Sequence, residues 1–101
     1  MAAAKVTFHP GASEDYAAAY CWYHDRGPTL AANFESEVDR GVRLISQNPS
    51  CWLKFDNRRR RFIVRKFPYS IIYQLHGEEV VILAVAHGKR RPNYWQERSS
   101  T

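Results

Sequence analysis

Hydrophobic spacing along the chain switches from a period of two to the helical period and back again. Lys5-Val6-Thr7-Phe8-His9 alternates like a short strand, and Pro10-Gly11 ends it. A helix is expected next, with Ser13 as N-cap and Glu14 and Asp15 in the first turn, where carboxylates complement the helix dipole. Ala12, Tyr16, Ala19, Tyr20 and Tyr23 share one helical face, and Gly27 supplies the stop. Pro28 opens a second helix whose apolar stripe is Leu30, Phe34, Val38, Val42 and Ile45. The connection is so short that the two helices must fold back as an antiparallel hairpin.

Asn48-Pro49-Ser50 ends that helix, and Cys51 to Asn57 reads as a loop or short extended segment with aromatic anchors. From Arg61 to Arg65, Phe62 and Val64 alternate with Arg61, Ile63 and Arg65, the pattern of a strand with one buried face. Ile71, Tyr73 and Leu75 then share one phase of a further strand, and Ser70, Ile72, Gln74 and His76 the other. His76-Gly77-Glu78-Glu79 turns the chain into Val80 to His87, which is apolar in both phases, as suits a strand near the middle of a sheet. The order gives an α+β fold, a two-layer β-α-α-β-β-β domain spanning residues 1–101. Its helical hairpin packs on one face of a mainly antiparallel sheet, and the other face is left partly open and basic.

Composition narrows the function classes. A chain of 101 residues holds one modest core, too small for a cofactor domain beside a substrate domain. No apolar run approaches a membrane span, and Met1 to Lys5 lacks the apolar region of a secretory signal, so a cytoplasmic protein with no membrane partner is expected. Cys21 and Cys51 stand alone, which favours reduced, partly buried thiols over a disulfide or zinc site. Neither a Gly-rich phosphate loop, a metal-ligand cluster nor a Ser-His-Asp arrangement is visible, so no cofactor and no metal are expected.

Charge changes the picture further. Residues 1–50 carry four Lys or Arg against six Asp or Glu, a net of −2, whereas residues 51–101 carry eleven against four, a net of +7. A basic half of this kind suits a phosphate-rich or acidic partner. Candidate nucleic-acid contacts are Arg58, Arg59, Arg60, Arg61, Lys66, Lys89 and Arg91. His87, Arg90 and Tyr94 should meet at one rim of the sheet. Each also has a structural reading: His87 as a strand cap, Arg58 to Arg61 as a solvated turn guarding a sheet edge, and Tyr94 with Trp95 as pins for the tail.

Phe67-Pro68-Tyr69-x-x-x-Tyr73, followed by Ile82 to His87-x-x-Arg90-x-Pro92-x-Tyr94-Trp95, resembles the end of RelE/ParE superfamily toxins of bacterial type II toxin–antitoxin modules. Phe8-His9-Pro10-x-Ala12-x-x-Asp15, Trp22-Tyr23 and Phe34-x-x-Glu37-Val38 fit the same superfamily. The resemblance implies a cognate antitoxin and one of two targets. RelE-like members cut mRNA on the ribosome, whereas ParE-like members inhibit DNA gyrase without a nuclease site. A third reading is a degenerate toxin that only binds its antitoxin. Ribosome-dependent mRNA cleavage, a metal-independent endoribonuclease activity, is placed first. In it, His87 serves as acid or base, Arg65 and Arg90 hold the phosphate, and Tyr94 stacks on a base or assists proton transfer. The chain departs from the nuclease pattern at Ser70, where those members commonly place an arginine. It also departs on the preceding strand, where RelE presents lysines and this chain has Arg61, Ile63 and Arg65.

Overall fold

The computed structural model describes residues 3–98. It contains strand β1 (Lys5–Phe8), helices α1 (Pro10–Arg26) and α2 (Pro28–Gln47), and strands β2 (Leu53–Lys54), β3 (Arg59–Ile63), β4 (Tyr69–His76) and β5 (Glu79–His87). The sheet order is β1-β5-β4-β3-β2, antiparallel except that β1 runs parallel to β5. Strand β5 is therefore flanked on both sides, and Val80 to Val85 are all buried. The helical hairpin covers one face, as expected. Residues 99–101 and 1–2 of the expected single domain lie outside the described residues.

Helix α1 begins three residues before the expected Ser13. His9 is the N-cap, its Nδ1 accepting the Gly11 N–H at 3.0 Å, and Pro10 occupies the first turn, where its missing N–H costs nothing. Pro10-Gly11 ends the strand, but by opening the helix. The earlier start moves Asp15 out of the first turn and buries it against the sheet. On α2 the buried stripe is Ala31, Phe34, Val38, Gly41 and Ile45. Leu30, expected in it, is 38% exposed because the helix presents Ala31 to the core instead. Cys21 and Cys51 are free but exposed, not partly buried.

Strand β3 also starts two residues early. The Asp56 carboxylate accepts the N–H groups of Arg58 and Arg59, both at 2.8 Å, and this side-chain turn launches the strand at Arg59. The strand ends before Arg65, since Lys66 adopts a left-handed φ of 70° in the turn that follows.

Between β4 and β5 the pairing runs Ile72↔Ala84 and then Tyr73↔Ile82, so Leu83 is an extra residue in β5. The bulge exchanges the two phases of the strand. Val80, Ile82 and Val85 join the helix-side core, whereas Ala84 faces the other way with Ile72. This explains why β5 reads as apolar in both phases. On the second face, Trp95 is buried on Ile72 and Ala84, with Tyr94 and Ala86 beside it. The face expected to be open is thus half closed by the chain's own tail.

The hairpin and sheet approach closely at Gly41. A Cβ there would lie 2.9 Å from Phe62 and 3.0 Å from Ile71, both core side chains of the sheet. Gly41→Val should therefore overpack this contact and lower stability by about 1–3 kcal/mol, measured as a lower urea midpoint at unchanged m-value.

Candidate functional site

The end of β5 and the tail are gathered around one carboxylate. Asp15 is 8% exposed, and its Oδ2 accepts the Val85 N–H at 3.2 Å and the Tyr94 hydroxyl at 2.9 Å. Arg98 grips it through both guanidinium nitrogens, at 2.7 and 3.3 Å, and also donates to the Leu83 carbonyl at 2.9 Å. Arg90 completes the set at 3.4 Å. A buried carboxylate is costly unless its charge is matched and its lone pairs are used, and here both conditions are met. The Arg98 guanidinium lies over the first turn of α1, where any side chain at Gly11 would run into it.

This arrangement fixes what Arg90 and Tyr94 can do. Arg90 stacks on the Tyr94 ring, 3.7 Å from its centroid, while both reach Asp15. Burial, followed by the hydrogen bond to Asp15, pushes the Tyr94 hydroxyl up to about 12. It therefore stays protonated at neutral pH and acts as a donor to Asp15. The same Asp15 contact holds the Arg98 guanidinium above its ordinary value.

His87 stands at the end of β5, edge-on to Tyr69 with ring centroids 5.0 Å apart. Its Nδ1 accepts the Lys89 N–H at 2.9 Å, so the neutral ring carries its proton on Nε2. The residue borders two hollows. One, of about 510 Å³, lies between α1 and the β4–β5 end, with Ala18, Ala19, Trp22 and Pro68 as apolar walls and Asp15, His87 and Arg90 as its polar lining. Trp22 is 51% exposed there. The other, a trough of about 160 Å³ on the second sheet face, has Ser70, Ile72 and Ala86 as floor, between Arg61 with Phe55 and the tail residues Arg91 to Trp95.

Of the predicted site residues, His87, Arg90, Tyr94, Arg61 and Arg91 come together around the trough. Arg65 does not line either hollow; it pairs with Glu37 of α2 at 3.1 Å. Arg59 is built into the fold, paired with Asp56 at 2.9 Å and lying 5.2 Å from the Trp95 ring centroid. Arg60 donates to the Trp52 carbonyl at 2.8 Å. Arg58, Lys66 and Lys89 are exposed. Sequence reasoning missed Asp15 as the hub and Arg98 as its partner. The only signal was the Phe8-His9-Pro10-x-Ala12-x-x-Asp15 pattern, which did not show where the carboxylate pointed.

Two outcomes follow from the hub. Asp15→Ala should leave Arg98 and the Val85 N–H without their acceptor, cost about 3 kcal/mol of stability, and release Trp95 into water, read as a red shift of its fluorescence. Tyr94 has a folded value raised from 10.0 to about 12, so it contributes stability that is fully present below pH 10 and is lost as pH climbs through 12. Tyr16 and Tyr73 are raised to about 12 as well. Tyr94→Phe should consequently make the alkaline fall in urea midpoint shallower without abolishing it.

The family described as the ParE toxin of the type II toxin-antitoxin system, parDE, matches residues 6–92. The chain is 29% identical over 90 residues to Toxin ParE2 of two Mycobacterium tuberculosis strains, an alignment covering 88% of this chain and 86% of the relative. The fold is similar to a solved structure of the chromosomal ParDE TA system from P. aeruginosa, with a TM-score of 0.73 at 19% identity, covering 83% of this chain and 95% of that one.

Proposed function

The chain belongs to the ParE toxin family of type II toxin–antitoxin systems, and from that premise we propose that it arrests growth by inhibiting DNA gyrase and does not cut messenger RNA. Membership carries a cognate antitoxin as partner. Among the described residues no helix is long and apolar enough to cross a membrane.

One observation carries the choice of target: three of the four groups expected to carry RNA cleavage are paired with carboxylates. Metal-free cleavage at a 2′-hydroxyl needs a base, a cation for the phosphorane and an acid for the leaving oxygen. Tyr94 and Arg90 are bound to Asp15, and Arg65 is bound to Glu37. Ser70 lies in the trough floor with no charge to offer. What remains around the trough is His87 with Arg61 and Arg91, a partial set that keeps RNA cleavage as the second reading.

The electropositive tail and trough, with Phe55 and the neighbouring apolar floor, present a surface suited to a large protein or protein–DNA target. Inhibition of gyrase requires binding alone, so it tolerates a site whose cations are held in structural pairs.

Induction of the chain without its antitoxin should stop DNA synthesis and produce filamentous cells while protein synthesis continues at first. The purified chain should also inhibit gyrase supercoiling. His87→Ala should weaken that inhibition by no more than the loss of one trough contact, about tenfold, and not abolish it, since no proton transfer is involved. A prompt halt of protein synthesis with cut messages, abolished by His87→Ala, would select the nuclease reading instead.

A further inference from the structure

Gyrase inhibition through the trough leaves the larger hollow, between α1 and the β4–β5 end, without a role. Its volume of about 510 Å³ falls among small-molecule sites, roughly 300–1,000 Å³, and its lining is mostly apolar. Ala18 and Ala19 keep it open on the helix side, and the rings of Tyr23 and Tyr69 meet edge-to-face in its lining, 6.2 Å apart. Its polar groups are mainly donors. Burial raises the Tyr23 and Tyr69 phenols above their ordinary value, so both keep their protons at neutral pH. His87 has its Nδ1 filled by the Lys89 N–H, which leaves Nε2–H to donate. Among the described residues Asp15 is the only carboxylate in the lining, and its oxygens are taken by Val85, Arg90, Tyr94 and Arg98. Positive charge is left over, since two guanidinium groups face that one carboxylate. Arg98 is 17% exposed and makes the shorter contacts, whereas the Arg90 side chain is 51% exposed and 3.4 Å away. Arg26 sets a further cation against Trp22, 3.3 Å from its ring centroid.

We propose that this hollow is a binding site for a free small organic anion with a flat apolar body, such as an aromatic carboxylate, whose charge lies against Arg90 and whose body packs on Ala18, Trp22 and Tyr69. Such a site is independent of which cellular target the toxin arrests. The apolar walls favour a ligand body that leaves water, and a half-exposed guanidinium beside them favours an anionic head over a neutral or cationic one. An extended peptide fits less well. Strands β4 and β5 pair with each other as far as Tyr69↔His87, and the carbonyls of Pro68 and Tyr69 already accept the N–H groups of Gly88 and Val64. Among the described residues no unpaired strand edge therefore borders the hollow for a chain to join.

The test is a titration of the purified, nitrogen-15-labelled chain with indole-3-acetate, followed through amide and indole N–H chemical shifts. Saturable shifts should centre on Ala18, Ala19, the Trp22 indole and His87, with a Kd below about 1 mM, as a ligand of this size allows. Indole-3-acetamide, the neutral isostere, should bind about tenfold more weakly, and tryptamine, a cation, more weakly still. Arg90→Gln should erase the preference for acid over amide. Ala18→Phe, at an exposed helix position, should fill the hollow and weaken both ligands about tenfold or more while far-UV circular dichroism stays unchanged. No saturable shift at millimolar probe, equal affinity for acid, amide and amine, or shifts centred on Ser70 and Asn93 of the trough would overturn the proposal. So would an acetylated peptide ending in tryptophan that binds about tenfold tighter than the free acid, since a chain end would then be the occupant. The readout is binding, so a failure of the gyrase reading leaves this result standing.

Discussion

The pairing of the Asp15 carboxylate with Arg98 ties helix α1 to strand β5 and to the tail. Helix α1 supplies the accepting acid, β5 the donating Val85 N–H and the accepting Leu83 carbonyl, and the tail the donors Arg90, Tyr94 and Arg98. In water such a carboxylate is solvated cheaply. In the interior it needs matched charge and filled lone pairs, and here two guanidinium groups and two neutral donors, from β5 and the tail, provide both. The carboxylate thereby specifies where the tail lies. Trp95 settles on Ile72 and Ala84, and the second face of the sheet is narrowed to a trough.

The bulge at Leu83 belongs to the same arrangement. An extra residue leaves a carbonyl outside the regular ladder, and Arg98 supplies its donor. Rotating β5 by one position also turns Val85 and His87 towards α1, so that the Val85 amide can reach Asp15 and His87 can meet Tyr69. A sheet without the bulge would keep Ala84 and Ala86 under the helices, two small side chains where the core has Val85. The geometry of the candidate site is thus decided by a backbone irregularity as much as by the side chains that line it.

Much of the architecture was legible in the sequence because it rests on periodicity. The two helices, the two long strands and the central place of β5 follow from spacing that survives any local adjustment. What was illegible shares a physical cause, which is side-chain oxygen or nitrogen bonding to backbone. His9 took the cap that Ser13 was expected to fill, and Asp56 started β3 early; neither leaves a trace in hydrophobic period. The same blindness hid the site. Asp15 reads as a helix-start acid until the start moves, and Arg65 reads as a free cation until Glu37 is seen beside it. Exposure of Leu30 in place of Ala31 is a rotation too small for pattern alone to settle.

Strand β1 pairs with β5 from the far end of the chain, Lys5 opposite Glu79, and the contact between Asp15 and Arg98 spans 83 residues. Contacts of such separation form late, because the intervening chain must first be ordered. During synthesis α1 and α2 emerge with an apolar face and no sheet to cover it, and Asp15 waits for the tail that carries Arg98. The trough therefore lacks one wall until the tail has been made. A newly made chain passes through a stage in which its helices are sticky and the trough beside Trp95 does not yet exist.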